Sequence, residues 1–373
     1  MNTAPLSSQL TELQSHLANR FDENADDYGR FAGIIGDRPS LYAKSPILWN
    51  ATFRALDLDA IFLPFDVDEP NLTVVVDSLR ASDRLLGFSV TVPYKTRILE
   101  LLDDVDPRAA FIGAVNTVAR TSDGRLVGYN TDGSGFLATL QSAVVESPLL
   151  DHVSGIDALL IGAGGAGRAV AFYLAEAITP GRLFIANRTE VTAAALAKAV
   201  NNAYGNVTAI SEEEIRELAP EVDLIVNSST RGQAGLRKLS NGANTMLEPY
   251  SALAPADPSS FPDGVDPSIG AARQYWFNRS LPDISRNNQV SREIAVRVPV
   301  SSAAYDLIYA PVETVFLRHF RQSGHRVVNG KGMNVAQAVD GFCDRVCATY
   351  LADHEFDASA VRERVVKEMI RAW

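Results

Sequence analysis

The first residue that could do chemistry is a single lysine, Lys95, which follows an apolar run at Leu85 to Phe88. The run predicts a buried strand, and Pro93 removes a backbone donor, so strand pairing should stop there. Thr91 and Lys95 would then lie at a strand end, where α/β proteins handle their ligands. A lysine in this position is most often a solvated surface charge. Lys95 by itself therefore supports no catalytic assignment.

A second candidate is a glycine-rich turn that follows the apolar run 158–161. Its residues match G-x-G-x-x-G between a predicted strand and a predicted helix: Gly162, Ala163, Gly164, Gly165, Ala166 and Gly167. The glycines permit a tight turn and a close backbone approach, and the helix N-terminus presents amides to a pyrophosphate. The turn predicts a dinucleotide site, and the alternative is a merely tight strand–helix connection.

The residues after the next predicted strand bear on the choice of cofactor. Asn187 stands about twenty residues after the glycine turn, where an NAD-binding site would place an acidic residue. Arg188 follows it, and an arginine there accommodates a 2′-phosphate. The sequence predicts NADP(H), and NAD(H) stays open as an alternative. A solvated strand-end charge is the alternative interpretation of Arg188.

The elements that position these candidates alternate between strand and helix patterns. Residues 31–90 predict a strand–helix–strand–helix–strand unit with parallel pairing, and Asp123-Gly124 predicts a hairpin turn. A second such unit begins near residue 158. We expect an α/β protein of two domains, an N-terminal mostly parallel substrate domain and a Rossmann domain.

The domain boundaries are predicted from these elements and from composition. We expect a loosely ordered N-terminal arm at 1–27, a substrate domain at 28–131 plus 311–373, and a Rossmann domain at 132–310. Within the last, residues 233–300 carry seven prolines and no clear period, which predicts an irregular insertion. It would be a surface excursion, or a lid or subunit contact anchored by Trp276.

Composition excludes several classes of protein. A formal net charge of −11 argues against general nucleic-acid binding. No stretch of about 20 apolar residues predicts a membrane span, and no signal peptide is apparent. The two cysteines, Cys343 and Cys347, lie in an apolar helical pattern without a metal-ligand set, so we expect buried thiols and no metal. We expect a cytoplasmic monomer or homodimer that acts on a small molecule.

Residues 31–232 and 302–350 resemble the shikimate dehydrogenase family, which reduces 3-dehydroshikimate with NADPH. The matching pieces include Lys44-Ser45-Pro46 with Asn50, Val90 to Lys95, Gly113 to Thr117, Asn130-Thr131-Asp132, the glycine turn, Asn187-Arg188-Thr189, Tyr305 to Tyr309, and Gly332-Met333 through Gln337. Gly87-Phe88-Ser89 and Asp104 to Pro107 are most similar to the version fused to type I dehydroquinases in plants. The resemblance implies an active site in the cleft between the two domains.

The family's roles are carried over where the residues match. The resemblance implies that Lys95 is the general acid/base and that Asp132 is its partner carboxylate. It implies substrate binding by Ser45, Thr91, Asn116, Asp132, Tyr309 and Gln337. On the cofactor side it implies contacts from the glycine turn, Asn187, Arg188, Thr189, Asn227, Ser228, Leu307, Gly330 and Met333.

Three positions depart from the family pattern. Ala43 replaces the first hydroxyl of Ser-x-Ser-Pro, so Tyr42 would substitute for it, or the smaller side chain would admit a bulkier acid such as quinate. Ser89 replaces the commoner Asn, and Thr192 replaces a second phosphate-binding Arg. A quinate or quinate/shikimate dehydrogenase is the close alternative. A non-catalytic sensor of a dinucleotide or a cyclic acid is the more distant one.

Overall fold

The structure, a computed structural model, describes residues 12–21, 27–141, 148–239, 242–262 and 264–373. The chain forms two compact units. The first comprises the residues up to Ala138 together with Met333–Trp373, and the second comprises Thr139–Gly332. In the described ranges, no helix is both long and apolar enough to cross a bilayer.

The strands, in chain order, are β1 (Arg30–Gly36), β2 (Ala60–Asp66), β3 (Leu85–Val90), β4 (Asp104–Val105), β5 (Thr117–Arg120), β6 (Leu126–Tyr129), β7 (Ala158–Ile161), β8 (Leu183–Ala186), β9 (Val207–Ile210), β10 (Leu224–Asn227), β11 (Leu236–Lys238), β12 (Asn244–Met246), β13 (Ala303–Asp306) and β14 (Arg326–Val328).

The α-helices are α1 (Ser45–Ala55), α2 (Leu72–Ala81), α3 (Pro107–Ile112), α4 (Asp132–Gln141), α5 (Gly165–Ile178), α6 (Glu190–Tyr204), α7 (Ile215–Leu218), α8 (Gly270–Arg297), α9 (Val315–Gln322), α10 (Lys331–Gly341), α11 (Ala348–Asp353) and α12 (Ala358–Ala372). A π-helical turn, Phe342–Val346, follows α10.

The first unit contains a six-stranded sheet in the order β2-β1-β3-β5-β6-β4. Strand β1 pairs in parallel with β2 and β3, and β5 pairs antiparallel with β3 and β6, which confirms the parallel unit and the hairpin. Because β5 runs back from the end of β3 and β6 returns to it, three connections meet at one edge of the sheet. They are the loop after β3, the residues before β5 and the residues after β6.

The second unit contains a six-stranded parallel sheet in the order β14-β13-β10-β7-β8-β9. Counted from its first strand β7, this is the doubly wound order 3-2-1-4-5-6. The order reverses between β7 and β10, and ligands of such sheets bind at that point. The glycine turn follows β7 directly. It therefore lies at the point where the strand order reverses, as the predicted Rossmann fold requires.

The second unit extends further along the chain than the sequence predicts. The predicted boundary at 310/311 is wrong, because β14 pairs with β13 and α9 packs against both strands. The chain therefore leaves the second unit only after Gly332. Its start also differs, at Thr139 instead of residue 132.

Residues 12–21 correct the prediction of a loosely ordered N-terminal arm. Leu13 is 3% exposed and packs in the core of the first unit. Asn19 accepts a hydrogen bond from the Asp66 amide and donates one to the Pro64 carbonyl, both at 2.9 Å. These bonds satisfy backbone groups of the edge strand β2. The rest of the predicted arm, residues 1–11 and 22–26, lies outside the described residues.

The predicted irregular insertion is wrong for a large part of its length. The structure places a 28-residue helix, α8, within 233–300, and the short antiparallel strands β11 and β12 precede it. The inward face of α8 includes Ser280, Asn287 and Ser291, which are polar, and Pro282 lies within the helix. A helix whose buried face is partly polar shows no apolar period, and proline argues against a helix.

Trp276 is an interior residue of the second unit. It is fully buried, and its indole stacks on Phe261 with 6.1 Å between ring centroids. Its Nε1 donates to the Ser259 carbonyl at 2.6 Å. The Trp276 ring is therefore not available as a contact with another subunit, and its role as the anchor of a lid stays a prediction.

Three buried polar residues, Ser251, Ser291 and His319, form a polar seam that connects α8 to α9 by hydrogen bonds. Ser291 Oγ donates to Ser251 Oγ at 2.7 Å and lies 2.8 Å from Nδ1 of His319. The serine has one proton, which it gives to Ser251, so His319 must donate through Nδ1. Burial lowers the pKa of His319 to about 4, and Arg292 and Arg318 act in the same direction. The imidazole is therefore neutral at neutral pH.

Protonation of His319 should destabilise the protein as the pH falls. The unfolded chain takes up this proton near the ordinary histidine pKa of 6.5, and the folded chain only near 4, so stability is lost between these values. At pH 5 this costs roughly 2 kcal/mol. We expect urea unfolding at pH 7.5 and pH 5 to show a smaller pH loss for His319→Gln than for wild type. The exposed His152→Gln serves as control, and parallel losses in wild type and His319→Gln would contradict the assignment.

Candidate functional site

The predicted catalytic residues of the first unit meet at the sheet edge where β3 and β6 end. Lys95 lies after β3, Asn116 immediately before β5, and Asp132 begins α4. Backbone bonds hold the loops together, from the Val90 amide to the Asn116 carbonyl and from the Val115 amide to the Lys95 carbonyl, both at 2.7 Å. Residues far apart in the chain therefore share one edge.

Lys95 and Asp132 form an ion pair with 2.6 Å between Nζ and Oδ2. Their side chains are 14% and 6% exposed, so little water competes for either charge. Removing one partner of a buried pair leaves the other charge uncompensated, which is costly. The pair is thus a fixed feature that holds an ammonium group at the edge of the sheet. The ammonium group has further N–H donors besides the one that binds Asp132.

Asn130 leaves the Asp132 carboxylate available for this pair. A carboxylate at the start of a helix would ordinarily cap free backbone amides. Here the Asn130 Oδ1 accepts from the amides of Asp132 and Gly133, at 3.2 and 3.4 Å. Asn130, and not Asp132, therefore caps the start of α4.

Asn116 joins Asp132 to the helix α10. Its Nδ2 lies 3.0 Å from Asp132 Oδ1, 3.0 Å from Thr131 Oγ1 and 3.1 Å from Gln337 Oε1. Its Oδ1 accepts from the Thr131 amide at 2.8 Å, which fixes the orientation of the amide. Both carboxylate oxygens of Asp132 are thereby held, one by Lys95 and one by Asn116.

The predicted hydroxyl groups of the first unit lie near the ends of β1 and β3. A Cβ placed on Gly36 would come within 2.3 Å of Thr91 Cγ2 and 3.4 Å of the Tyr42 hydroxyl, so both side chains use the space that the glycine leaves. Ser45 begins α1 and is 6% exposed. Among the described residues, the hydroxyl groups of Ser45 and Thr91 form no side-chain hydrogen bond. Each can still bind a ligand.

The three motif glycines of the second unit have different roles. Gly162 has φ +113°, and a Cβ there would lie 2.7 Å from the Ser229 amide. A Cβ on Gly167 would lie 2.5 Å from Ser228 Oγ, whereas one on Gly164 would meet nothing within 4 Å. The first and third glycines therefore permit close packing. The second leaves open space in front of the first turn of α5, which fits a pyrophosphate.

Asn187 ties the end of β8 to this turn. Its Oδ1 accepts from the Ala163 amide at 3.2 Å, and its Nδ2 donates to the Thr189 carbonyl at 3.1 Å. Arg188 and Thr189 are exposed beside it, and Arg188 forms no ion pair with any residue that the structure describes. A guanidinium free of carboxylates suits an anionic group such as a 2′-phosphate.

Other predicted cofactor residues are engaged within the protein. The Asn227 side chain is fully buried, and Ser228 Oγ donates to the Gly162 carbonyl at 2.9 Å. A Cβ on Gly330 would lie 1.9 Å from the Leu307 carbonyl, so this glycine permits close backbone packing. Asn227 in this conformation cannot reach a ligand with its side chain. Met333, predicted for the cofactor side, is buried in α10, and Tyr309, predicted to bind substrate, is half-buried on the loop after β13.

Two residues with a part in these sites were missed as site residues. Thr131 donates to the Gln337 carbonyl at 3.1 Å and accepts from Asn116. Asp306 ends β13 and is fully buried. Burial raises its pKa to about 7, although the hydrogen bonds from Thr314, Ile308 and Asn227 act to lower the pKa. An acidic residue that ends an apolar strand was the available signal for Asp306.

The glycine geometry predicts unequal effects of alanine. Gly162→Ala should destabilise the protein by roughly 1–3 kcal/mol, because a side chain there is strained and meets the Ser228–Ser229 backbone. Gly164→Ala should leave stability within about 0.5 kcal/mol of wild type. Urea unfolding of both variants measures the difference. Gly270→Ala, which also meets nothing within 4 Å, is the matched control. Equal stability of the Gly162 and Gly164 variants would contradict this account.

The fold and the two sites define the class as a two-unit dehydrogenase with a Rossmann unit. The family model for the shikimate dehydrogenase substrate binding domain matches residues 34–118, and the model for shikimate / quinate 5-dehydrogenase matches residues 145–254. The chain belongs to the shikimate dehydrogenase family, as its motifs predict. Its similarity to the plant fusion version stays a prediction.

Curated relatives and solved structures agree with this membership. The chain is 35% identical to the NADP(+) shikimate dehydrogenase of Symbiobacterium thermophilum over 83% of this chain and 86% of that protein. The structure of the Thermus thermophilus enzyme with NADP(H) and shikimate has a TM-score of 0.60 and 27% identity, covering 92% of this chain and 100% of that one. The Aquifex aeolicus enzyme gives 0.62 and 26%, covering 93% and 99%.

Proposed function

We propose that this protein is an NADP-dependent oxidoreductase that interconverts 3-dehydroshikimate and shikimate, with Lys95 and Asp132 as its acid–base pair. The observation that carries the proposal is the buried 2.6 Å pair in a chain of this family. The Symbiobacterium relative bears the name of this NADP(+)-dependent activity, and the Thermus structure holds both NADP(H) and shikimate.

The chemistry requires a proton donor close to the reacting oxygen. When bound, the nicotinamide supplies the hydride for ketone reduction. Negative charge develops on the ketone oxygen, and the Lys95 ammonium can stabilise that charge and donate a proton to it. Asp132 holds Nζ of Lys95, and Asn116 holds the other oxygen of Asp132. In the reverse direction, Lys95 takes the proton back from the hydroxyl.

Substrate binding is assigned to polar groups at the sheet edge that carries Lys95, and to further polar groups on α1, on α10 and after β13. Ser45 and Thr91 offer hydroxyls, and Asn116 and Gln337 offer amides that form a mutual hydrogen bond at 3.1 Å. These groups suit a polyhydroxylated ring acid. Tyr309 completes the set as the family resemblance implies, and its role rests on that resemblance.

Cofactor binding is assigned to the glycine turn and the residues after β8. The amides of Gly165 and Ala166 precede the first intrahelical bond, from the Arg168 amide to the Gly164 carbonyl, so they can face a pyrophosphate. Arg188 and Thr189 would bind the 2′-phosphate of NADP(H). Exposed Thr192 adds no second positive charge, and for that reason NAD(H) stays a second cofactor to assay.

Replacing Lys95 with alanine should abolish most turnover and leave cofactor binding intact. We expect kcat for shikimate oxidation with NADP+ to fall by about 10² or more, because the general acid/base is lost. NADPH affinity, measured by fluorescence titration, should change less than about twofold, since the glycine turn to which cofactor binding is assigned belongs to the second unit and Lys95 to the first. Absorbance at 340 nm measures the rate.

The control for this experiment is Lys367→Ala, which removes an exposed lysine from α12 of the same unit. It should retain wild-type kcat. Intact turnover in Lys95→Ala would rule out the role of Lys95, and a wild-type chain inactive with either acid and either cofactor would favour the non-catalytic sensor.

The second candidate function is a quinate or quinate/shikimate dehydrogenase, and Ala43 is the observation that favours it. Ala43 offers no hydroxyl to the substrate carboxylate, and its small side chain leaves room for a bulkier ring. The Tyr42 hydroxyl lies at the same end of β1 as Thr91 and is the substitute that the sequence suggests. Kinetics with both acids and both cofactors separate the two candidates.

Restoring the hydroxyl at position 43 should favour shikimate. Ala43→Ser adds a hydrogen bond to a carboxylate, worth roughly 1.5–3 kcal/mol, so the KM for shikimate should fall about tenfold or more. The KM for quinate should fall less, because the added atom takes up space. Steady-state kinetics measure both, with Ala81→Ser at an exposed helix end as control. An unchanged KM for both acids would mean that the carboxylate is held elsewhere.

A further inference from the structure

Asp306 is a buried carboxylate to which the proposed chemistry gives no task. It is the last residue of β13 and is 0% exposed. Its Oδ1 accepts from Asn227 Nδ2 at 3.0 Å and from the Ile308 amide at 2.9 Å, and its Oδ2 accepts from Thr314 Oγ1 at 2.6 Å. A buried carboxylate with three donors is a strong local constraint on whatever carries those donors.

The first partner leads to the glycine turn. Asn227 pairs directly with Asp306 across β10 and β13, and its Oδ1 accepts from both the amide and the hydroxyl of Ser229, at 2.9 and 2.7 Å. The neighbouring Ser228 donates to the Gly162 carbonyl at 2.9 Å. Asp306 is therefore connected by hydrogen bonds and one short turn to the backbone of the glycine motif.

The other two partners hold the connections that follow β13. The Ile308 carbonyl accepts from the Gly330 amide at 3.1 Å, and the Leu307 amide donates to the Asn227 carbonyl at 2.8 Å. Thr314 caps α9 by accepting from the Leu317 amide. One carboxylate thus fixes the turn after β10, the turn after β13 and the start of α9.

We propose that Asp306 is the positioning residue of the dinucleotide site, holding the turns at 227–231 and 307–309 in the form that binds cofactor. It makes this contribution through other residues, because its own side chain is sealed from any ligand. The identity of the ligand rests on the proposed function.

The hydrogen-bond pattern says which substitutions should weaken cofactor binding. Asp306→Ala removes both acceptor oxygens and with them all three hydrogen bonds, which leaves the two turns free to move. Asp306→Asn keeps an acceptor for Asn227 and Ile308, and the Thr314 hydroxyl can turn to accept from the new amide. Thr314→Val removes one of the three bonds, together with the cap on the Leu317 amide, and keeps the volume of the side chain.

The experiment is a fluorescence titration of the full chain with NADPH, for wild type and the three variants, with urea unfolding of each. We expect the dissociation constant to rise about tenfold or more in Asp306→Ala, about threefold to fivefold in Thr314→Val, and less than threefold in Asp306→Asn.

A merely structural role would lower the unfolding midpoint and leave the affinity of the folded protein unchanged, and that result in Asp306→Ala would overturn the proposal. An Asp306→Asn variant as weak as Asp306→Ala would contradict the hydrogen-bond account. If Asp306→Ala does not fold, Thr314→Val decides by the same criterion. A wild-type chain that binds no NADPH would instead refute the proposed function.

Discussion

The first unit depends on one buried ion pair, between Lys95 and Asp132. A charge pair removed from water is tolerated only when its geometry is good and its remaining polar atoms are satisfied. The surroundings meet both conditions, because Asn116 binds the second oxygen of Asp132 and Asn130 takes over the capping of α4. The antiparallel course of β5 and β6 is what brings these residues to the edge where β3 ends.

The second unit depends on close backbone approach at the reversal of strand order. Gly162 and Gly167 let the turn pack against Ser228, while Gly164 keeps the space in front of α5 open. Asp306 holds the neighbouring turns at 227–231 and 307–309 through its hydrogen bonds to Asn227 and Ile308. A buried carboxylate is an effective device here because it accepts several donors at once, and the turns of a nucleotide site consist largely of backbone donors that need partners.

The insertion shows where sequence patterns mislead. The buried face of helix α8 includes the polar residues Ser280, Asn287 and Ser291, so its apolar stripe is interrupted. The polar groups are satisfied by partners that are distant in sequence, such as Ser251 for both Asn287 and Ser291. The neutral His319 belongs to the same seam. An apolar period indicates a helix only when the face that it buries is apolar.

The sequence by itself determined the α/β class, the parallel units, the glycine turn, Lys95 as a candidate and, through its motifs, the family. Each of these depends on local requirements: a strand followed by a break, a glycine where a side chain cannot fit, an arginine after a strand. Only the tertiary structure decided that the Lys95–Asp132 pair is buried with 2.6 Å between Nζ and Oδ2, that Asn116 reaches Gln337 across 221 residues, and that Asp306 joins three connections. Those contacts are made by the sheet topology, and no spacing in the chain encodes them.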